Sequence, residues 1–335
     1  MSTVHQRTLG RGTVPVTRLA FGAAGIGNLF SEVGDDQAQA AVRAAWDAGV
    51  RYFDTAPHYG LGLSERRLGE ALRQYPRTQY TVSTKVGRLL RPVAPPYGSD
   101  LENGFAVPAD HRRVWDFSAA GVRASLEQSL TRLGLDRIDV VYLHDPDDHG
   151  QAAFDTAYPE LERLRAEGVV GAIGAGMNQA AMLTRFVRDT DVDVVLLAGR
   201  YTLLDQGGLA ELLPEAQRRE VSVVVGGAFN SGLLADPAPG ATFDYTAAPQ
   251  ELLERALRIK AVCERHGVPL RAAALQFPLG HRAVAGVLVG TRSAHEAVDA
   301  AAMMDHPVPD ALWATLKSEG LLGADVPVPS AEGTA

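Results

Sequence analysis

Cysteine is nearly absent: Cys263 stands alone among 335 residues. One thiol excludes an internal disulfide framework and a thiolate metal cluster, and its amphipathic surroundings read as a core position. Long apolar runs are missing as well. No stretch approaches the roughly 18 residues that a membrane-spanning helix needs, and the opening MSTVHQRTLGRG has no apolar core ahead of a cleavage site. These gaps predict a soluble, cytoplasmic protein with no membrane partner. Basic excess is missing too: 32 Lys and Arg face 40 Asp and Glu, a net charge of −8. With no basic block, that balance argues against nucleic acid as a partner.

What is present is an alternation of short apolar runs with helically spaced ones. Two extended runs around Gly10 to Gly12 read as an N-terminal β-hairpin. Strands are then expected at 18–21, 51–54, 80–85, 138–143, 172–174, 193–197, 221–225 and 286–289. Helices are expected at 35–48, from a Ser64 cap through Leu72, at 119–133, 157–167, 179–188, 209–220, 250–266 and 295–304. The strands are apolar on both faces, as parallel strands covered by helices should be. Eight such units, with polar residues after the second, third and fourth strands, favour a closed (β/α)8 TIM barrel over a doubly wound sheet. No Pro/Ser/Gly linker divides the chain, so 1–322 reads as one domain with an extra C-terminal helix at 310–319, and 323–335 reads as a flexible tail. The irregular segment 87–117 carries Tyr97, Phe105, Trp115 and Phe117 and is expected to pack as a substrate-facing loop. Nothing in the pattern fixes an oligomeric state.

The chemistry concentrates in Tyr52 to Ser64, YFDTAPHYGLGLS. Asp54 ends an apolar strand, and a buried carboxylate asks for a cation. Lys85, at the end of the next strand, is the candidate, Tyr59 follows in the loop, and His144 ends the strand after that. Alone, an Asp-Lys pair is a salt bridge, and a lone Tyr or His is a satisfied rim residue. At consecutive strand ends of a barrel the four share one rim. An ammonium beside a phenol favours the phenolate, so Tyr59, Lys85 and Asp54 form a relay that gives a proton to a carbonyl oxygen or takes one from a hydroxyl, with His144 aligning that oxygen. Such a set moves only protons, so a reaction partner must bind elsewhere on the rim. IGAGMN at Ile173 to Asn178 has the wrong spacing for a dinucleotide fingerprint.

FDTAPHYGLGLSERRLGEAL, VSTKVG and VVYLHDPD resemble the aldo-keto reductase superfamily, and the resemblance runs from about Thr8 to Met304. It implies a metal-free (β/α)8 barrel that transfers hydride between a nicotinamide dinucleotide and a carbonyl or alcohol, with Asp54, Tyr59, Lys85 and His144 in the catalytic places. It also implies a dinucleotide extended across the barrel mouth. Asn178 would meet the carboxamide, Gly226, Phe229, Asn230, Ser231, Gly232 and Leu233 the pyrophosphate, and Gly290 and Arg292 the adenosine end. The family's glutamine after the sixth strand falls at Ala198, and its stacking aromatic near Gly226. Thr291 and Ala297 take places that are basic in NADP-preferring relatives. NAD is therefore the expected cofactor, with Arg292 the feature that would suit NADP.

GRYTLLDQ, FNSGLLA and VWDFS resemble the branch of the family that holds D-threo-aldose (L-fucose) and pyridoxal dehydrogenases. That branch implies NAD-dependent oxidation of an L-fucose- or D-arabinose-type aldose at its anomeric carbon, giving the lactone. Pyridoxal oxidation, broad NADPH-dependent aldehyde or ketone reduction, and a nicotinamide-binding regulatory subunit are the alternatives. A sugar pocket needs polar groups and an aromatic face; His58, Trp115 and Asp145, with His111 or Arg112, are the expected contacts. Asp145, Asp147, Asp148 and His149 have no second His or Cys at ligand spacing, so no metal is expected there.

Overall fold

The structure is a computed structural model that describes residues 5–95 and 97–330. β1 (Gln6–Thr8) and β2 (Pro15–Thr17) pair antiparallel as the expected hairpin. β3 (Leu19–Gly22), β4 (Tyr52–Asp54) and β5 (Thr81–Val86) follow, then an accessory pair, β6 (Arg88–Pro92) and β7 (His111–Trp115). The chain continues through β8 (Val140–His144), β9 (Ala172–Met177), β10 (Val194–Ala198) and β11 (Ser222–Gly226), a small pair β12 (Thr242–Phe243) and β13 (Thr246–Ala247), and β14 (Val284–Gly290). Strands β3, β4, β5, β8, β9, β10, β11 and β14 pair in parallel in that order, and β14 returns to β3, closing the barrel.

Side chains of opposite strand parity divide the core in two. Val140, Tyr142, Ala172, Val194, Leu196 and Val224 fill the barrel, and Leu9, Val14 and Val16 of the hairpin plug its lower end. The residues between them pack outward on the helices, and Cys263 is buried there with its thiol pushed up to about 12 by burial. Closeness between β9 and β10 explains the glycines of IGAGMN. Gly174 lies opposite Val194, and a Cβ on it would sit 1.7 Å from the Val194 carbonyl oxygen.

Two expectations need correction. Segment 87–117 holds the β6–β7 hairpin, with Arg88 opposite Trp115 and Pro92 opposite His111. Arginines at 88, 91, 112 and 113 interrupt the apolar alternation by which a strand is read. The second helix is Leu63–Leu72 and starts behind Gly62, whose φ of 82° ends the preceding turn. Ser64 is inside the helix and caps nothing: its hydroxyl donates to the Ala23 carbonyl at 2.7 Å and meets the Thr55 hydroxyl at 2.8 Å. The extra helix is Asp310–Ser318. Beyond it Val326 is buried and Val328 packs against the core; 331–335, the end of the expected tail, lie outside the described residues.

Overfilling the β9–β10 contact should cost stability. Gly174→Ala is expected to lose about 1–3 kcal/mol in urea unfolding, and an unchanged midpoint would contradict this reading of the contact.

Candidate active site

Adjacent strands β4 and β5 bring Asp54 and Lys85 together, at 1% and 3% exposure. Lys85 Nζ donates to Asp54 Oδ2 at 2.6 Å and to the Thr55 carbonyl at 3.0 Å, while the Ser83 hydroxyl donates to Asp54 Oδ1 at 2.6 Å. Both carboxylate oxygens are thereby satisfied, which a buried charge requires. Burial by itself lowers the Lys85 pKa, but Asp54 and Tyr59 reverse this and hold it above its ordinary value, so the amine stays charged.

Tyr59 is set by the turn between β4 and the second helix. Gly60 has a φ of 59°, and a Cβ there would lie 2.1 Å from the Gly27 carbonyl oxygen, so the loops after β3 and β4 interlock. Lys85 Nζ lies 4.8 Å from the centre of the Tyr59 ring. The phenol does not titrate in the direction its charged neighbour suggested. Burial raises the Tyr59 pKa, Lys85 opposes that, and Asp54 adds to it, leaving a net upward shift. Tyr59 is therefore a protonated phenol at neutral pH.

His144 ends β8 with its ring 5.9 Å from that of Tyr59 and nearly perpendicular to it, at 88°. Burial, followed by Arg88 and Lys85, pushes its pKa well down, so the imidazole is neutral. Its Nε2 lies 3.5 Å from Asp145 Oδ2, and its Nδ1 is buried without a partner among the described residues. The four expected residues thus meet at one rim.

Around them lie the expected contacts Trp115 and Asp145, together with two arginines, Arg88 and Arg113, that the sequence did not single out. Arg88 is ion-paired with Asp145, and its guanidinium carbon stands 4.3 Å over the Trp115 ring. Burial raises the Asp145 pKa against the pull of Arg88. These three line a cavity of about 350 Å³ with Asp147, Asp148, His149, Asn178 and Gln179. Trp115, the expected aromatic contact, is 43% exposed, with Arg88 over its ring and the Phe117 and His149 rings 5.9 and 4.8 Å from it. Of the flanking candidates, His111 pairs with neighbouring Asp110 at 2.8 Å and Arg112 is exposed; the next residue, Arg113, turns inward to His58. Alternation along a strand decides which of two adjacent arginines faces the mouth, and that phase was not readable without the β6–β7 register. Among the described residues no group of three or more His, Cys, Asp or Glu is arranged to hold a metal.

Residues 18–319 match the model of the aldo/keto reductase family. The chain belongs to that family. It is 49% identical over 312 residues to a D-threo-aldose 1-dehydrogenase of a Pseudomonas species, covering 92% of this chain and 95% of the relative. A pyridoxal 4-dehydrogenase of Microbacterium luteolum is 40% identical over 337 residues, 95% of this chain and 98% of that one. Among solved structures, an aldo-keto reductase of Bacillus halodurans in its holo form superposes with a TM-score of 0.75 at 25% identity, covering 96% of this chain and 98% of the other.

As an aldo/keto reductase the protein is an NAD(P)-dependent oxidoreductase. The loops after β11 and β14 are those that the family resemblance assigns to the dinucleotide. The N–H groups of Ala228 and Phe229 make no hydrogen bond among the described residues. Gly290 is exposed, and a Cβ there would meet nothing within 4 Å. Other expected contacts are already engaged. Asn230 is buried with its amide donating to the Gly199 carbonyl at 3.2 Å, the Leu233 side chain is in the core, and the N–H groups of Asn230, Gly232 and Leu233 close the turn itself. Ser231 Oγ accepts from the Tyr245 N–H at 3.1 Å, and Phe229 is half-buried against the core. Gly226 is buried at the end of β11. Arg292 is exposed, its Nε donating to Glu296 Oε1 at 3.1 Å and its Nη1 to the Ser31 hydroxyl at 3.3 Å.

Breaking the central pair from one side should be costly. Lys85→Met strands the Asp54 charge and is expected to lose about 3–5 kcal/mol of stability. The double variant Asp54→Asn, Lys85→Met should lose clearly less than the sum of the singles. Additive losses in denaturant unfolding would show that the two groups are not coupled.

Proposed function

We propose that this aldo/keto reductase oxidises an aldose of the L-fucose or D-arabinose type at its anomeric carbon to the lactone, with NAD as cofactor and Tyr59 as the group that takes the hydroxyl proton. The carrying observation is the 49% identity, over 92% of the chain, to a protein named as a D-threo-aldose 1-dehydrogenase. A mouth lined by Arg88, Asp145, Asn178 and the Trp115 face supports it, because a sugar needs hydroxyl partners and a flat apolar surface.

When bound, the oxidised nicotinamide supplies the hydride acceptor. Tyr59 accepts the O–H of the reacting hydroxyl and the neutral His144 donates to one of its lone pairs, which orients the C–H bond that is to be broken. As that bond breaks, Tyr59 removes the hydroxyl proton, and the buried Lys85 ammonium stabilises the phenolate that does so. The ring carbon becomes the lactone carbonyl, and one proton and one hydride leave together. Asn178 shares the cavity with Trp115 and Asp145, which suits a nicotinamide next to the sugar. NAD fits better than NADP at the adenosine end, where the Glu296 carboxylate neutralises Arg292 and would repel a 2′-phosphate.

A second reading is oxidation of pyridoxal, favoured by the 40% identity to a pyridoxal 4-dehydrogenase; its aromatic ring would suit the Trp115 face. Reduction rates of NAD and NADP with L-fucose, D-arabinose, L-galactose and pyridoxal separate the two. Turnover of a sugar with NAD is expected. Turnover of pyridoxal alone would move the function to the second reading, and NADPH oxidation by simple aldehydes with no alcohol oxidised would overturn both.

The raised Tyr59 pKa sets the pH dependence. Oxidation needs the phenolate, which is the minor form below that pKa, so its rate should climb roughly tenfold per pH unit through neutrality. Reduction uses the phenol and should stay flat until the raised pKa is approached. His144 is neutral throughout and should contribute no limb. Tyr59→Phe should nearly abolish both directions while retaining dinucleotide affinity; a flat oxidation profile, or full activity in Tyr59→Phe, would remove Tyr59 from the role.

A further inference from the structure

Asp100 is 2% exposed beneath the β6–β7 hairpin, a position where a carboxylate must be paired. Arg113 satisfies it with two bonds, Nη1 to Oδ1 at 2.7 Å and Nη2 to Oδ2 at 2.6 Å. The fork fixes the guanidinium plane, and two of its three remaining donors go to His58: Nε to Nδ1 at 2.5 Å and Nη2 to the carbonyl at 3.0 Å. Arginine has no acceptor. His58 Nδ1 must therefore be the acceptor, and the ring proton is confined to Nε2.

His58 is wedged in place. Its ring meets Phe105 edge-on at 5.2 Å and lies 5.6 Å from the His144 ring and 6.1 Å from the Tyr59 ring. Nε2 has no hydrogen-bond partner among the described residues, and it is not among the polar atoms sealed from solvent. Burial, then Arg88, Arg113 and Lys85, push the His58 pKa down to about 2, so it does not charge at working pH. A donor of fixed tautomer thus stands beside the Tyr59 and His144 rings, the two groups that hold the reacting oxygen.

We infer that His58 is a second hydrogen-bond donor of this site, held by the positioning residues Arg113 and Asp100, and that it takes the hydroxyl on the carbon next to the reacting one. The substrates are then α-hydroxylated lactols or aldehydes, and simple aldehydes are poor ones. For lactols this rests on the aldose reading above; for aldehydes it rests on family membership alone.

The test compares two substrate pairs on the full-length enzyme: L-fucose against 2-deoxy-L-fucose in oxidation, and glyceraldehyde against propanal in reduction. Wild type should favour the hydroxylated member of each pair by roughly 10- to 100-fold in kcat/KM. His58→Phe should bring that ratio close to one, chiefly through KM, and His58→Gln, which keeps an N–H, should restore part of it. Arg113→Lys keeps a cation for Asp100 but lacks the second arm of the fork, so it should lose most of the preference while folding. A merely structural role would slow both members of a pair alike. A wild-type ratio near one, or a ratio unchanged in His58→Phe, would overturn the inference. Silence on both sugars with the aldehyde preference present and His58-dependent would overturn the aldose reading and leave the donor standing. Independently, the ¹⁵N imidazole spectrum should show His58 protonated at Nε2 and not titrating from about pH 5 to 8; protonation at Nδ1, or titration near neutrality, would contradict the lock.

Discussion

An ammonium and a carboxylate held 2.6 Å apart at 3% and 1% exposure organise this barrel mouth. Neither charge is tolerable there without the other, so β4 and β5 must stay in register and the turn that carries Tyr59 must close over Lys85. The Gly27–Gly60 approach and the Ser64 bonds to Ala23 and Thr55 are what that closure looks like in the backbone. The placement of Tyr59 is thus tied to a structural necessity of the fold. The pair that satisfies burial also acts on Tyr59, whose pKa burial raises, Lys85 lowers and Asp54 raises.

Burial decides the charge states in this mouth more than the local cations do. Tyr59 is shifted up although Lys85 opposes it, and Asp145 is shifted up although Arg88 opposes it. His144 and His58 are shifted down, with burial first among the causes and the cations second. The outcome is a site with a permanent ammonium, neutral imidazoles and a protonated phenol. That set is suited to positioning a hydroxyl by hydrogen bonds and to moving one proton under a cation's influence.

Asp54, Tyr59, Lys85 and His144 were legible because each stands at or just past the end of an apolar run, and the closed barrel was legible from eight such runs with matching helices. What surrounds them was not. Arg88 and Arg113 sit on strands whose charges hide the alternation, and the two-residue strands β12 and β13 are too short to have one. Ser64 looked like a cap because a serine ahead of helical spacing usually is one; the positive φ of Gly62 moved the start of the helix. Asn230 and Leu233 lie in a loop of the right composition, and only packing reveals that their side chains face inward. The direction of the Tyr59 shift depended on a depth of burial that no spacing encodes.

The central claim is that a sugar's own C1–H and O–H bonds are broken at this site, and the product tests it most directly. With L-fucose labelled with ¹³C at C1 and with NAD, the C1 resonance should move from the anomeric region to that of a lactone carbonyl before any aldonate appears, one NADH forming per sugar. Aldonate appearing without a preceding lactone, or an anomeric signal that persists while a different substrate reduces NAD, would contradict the account.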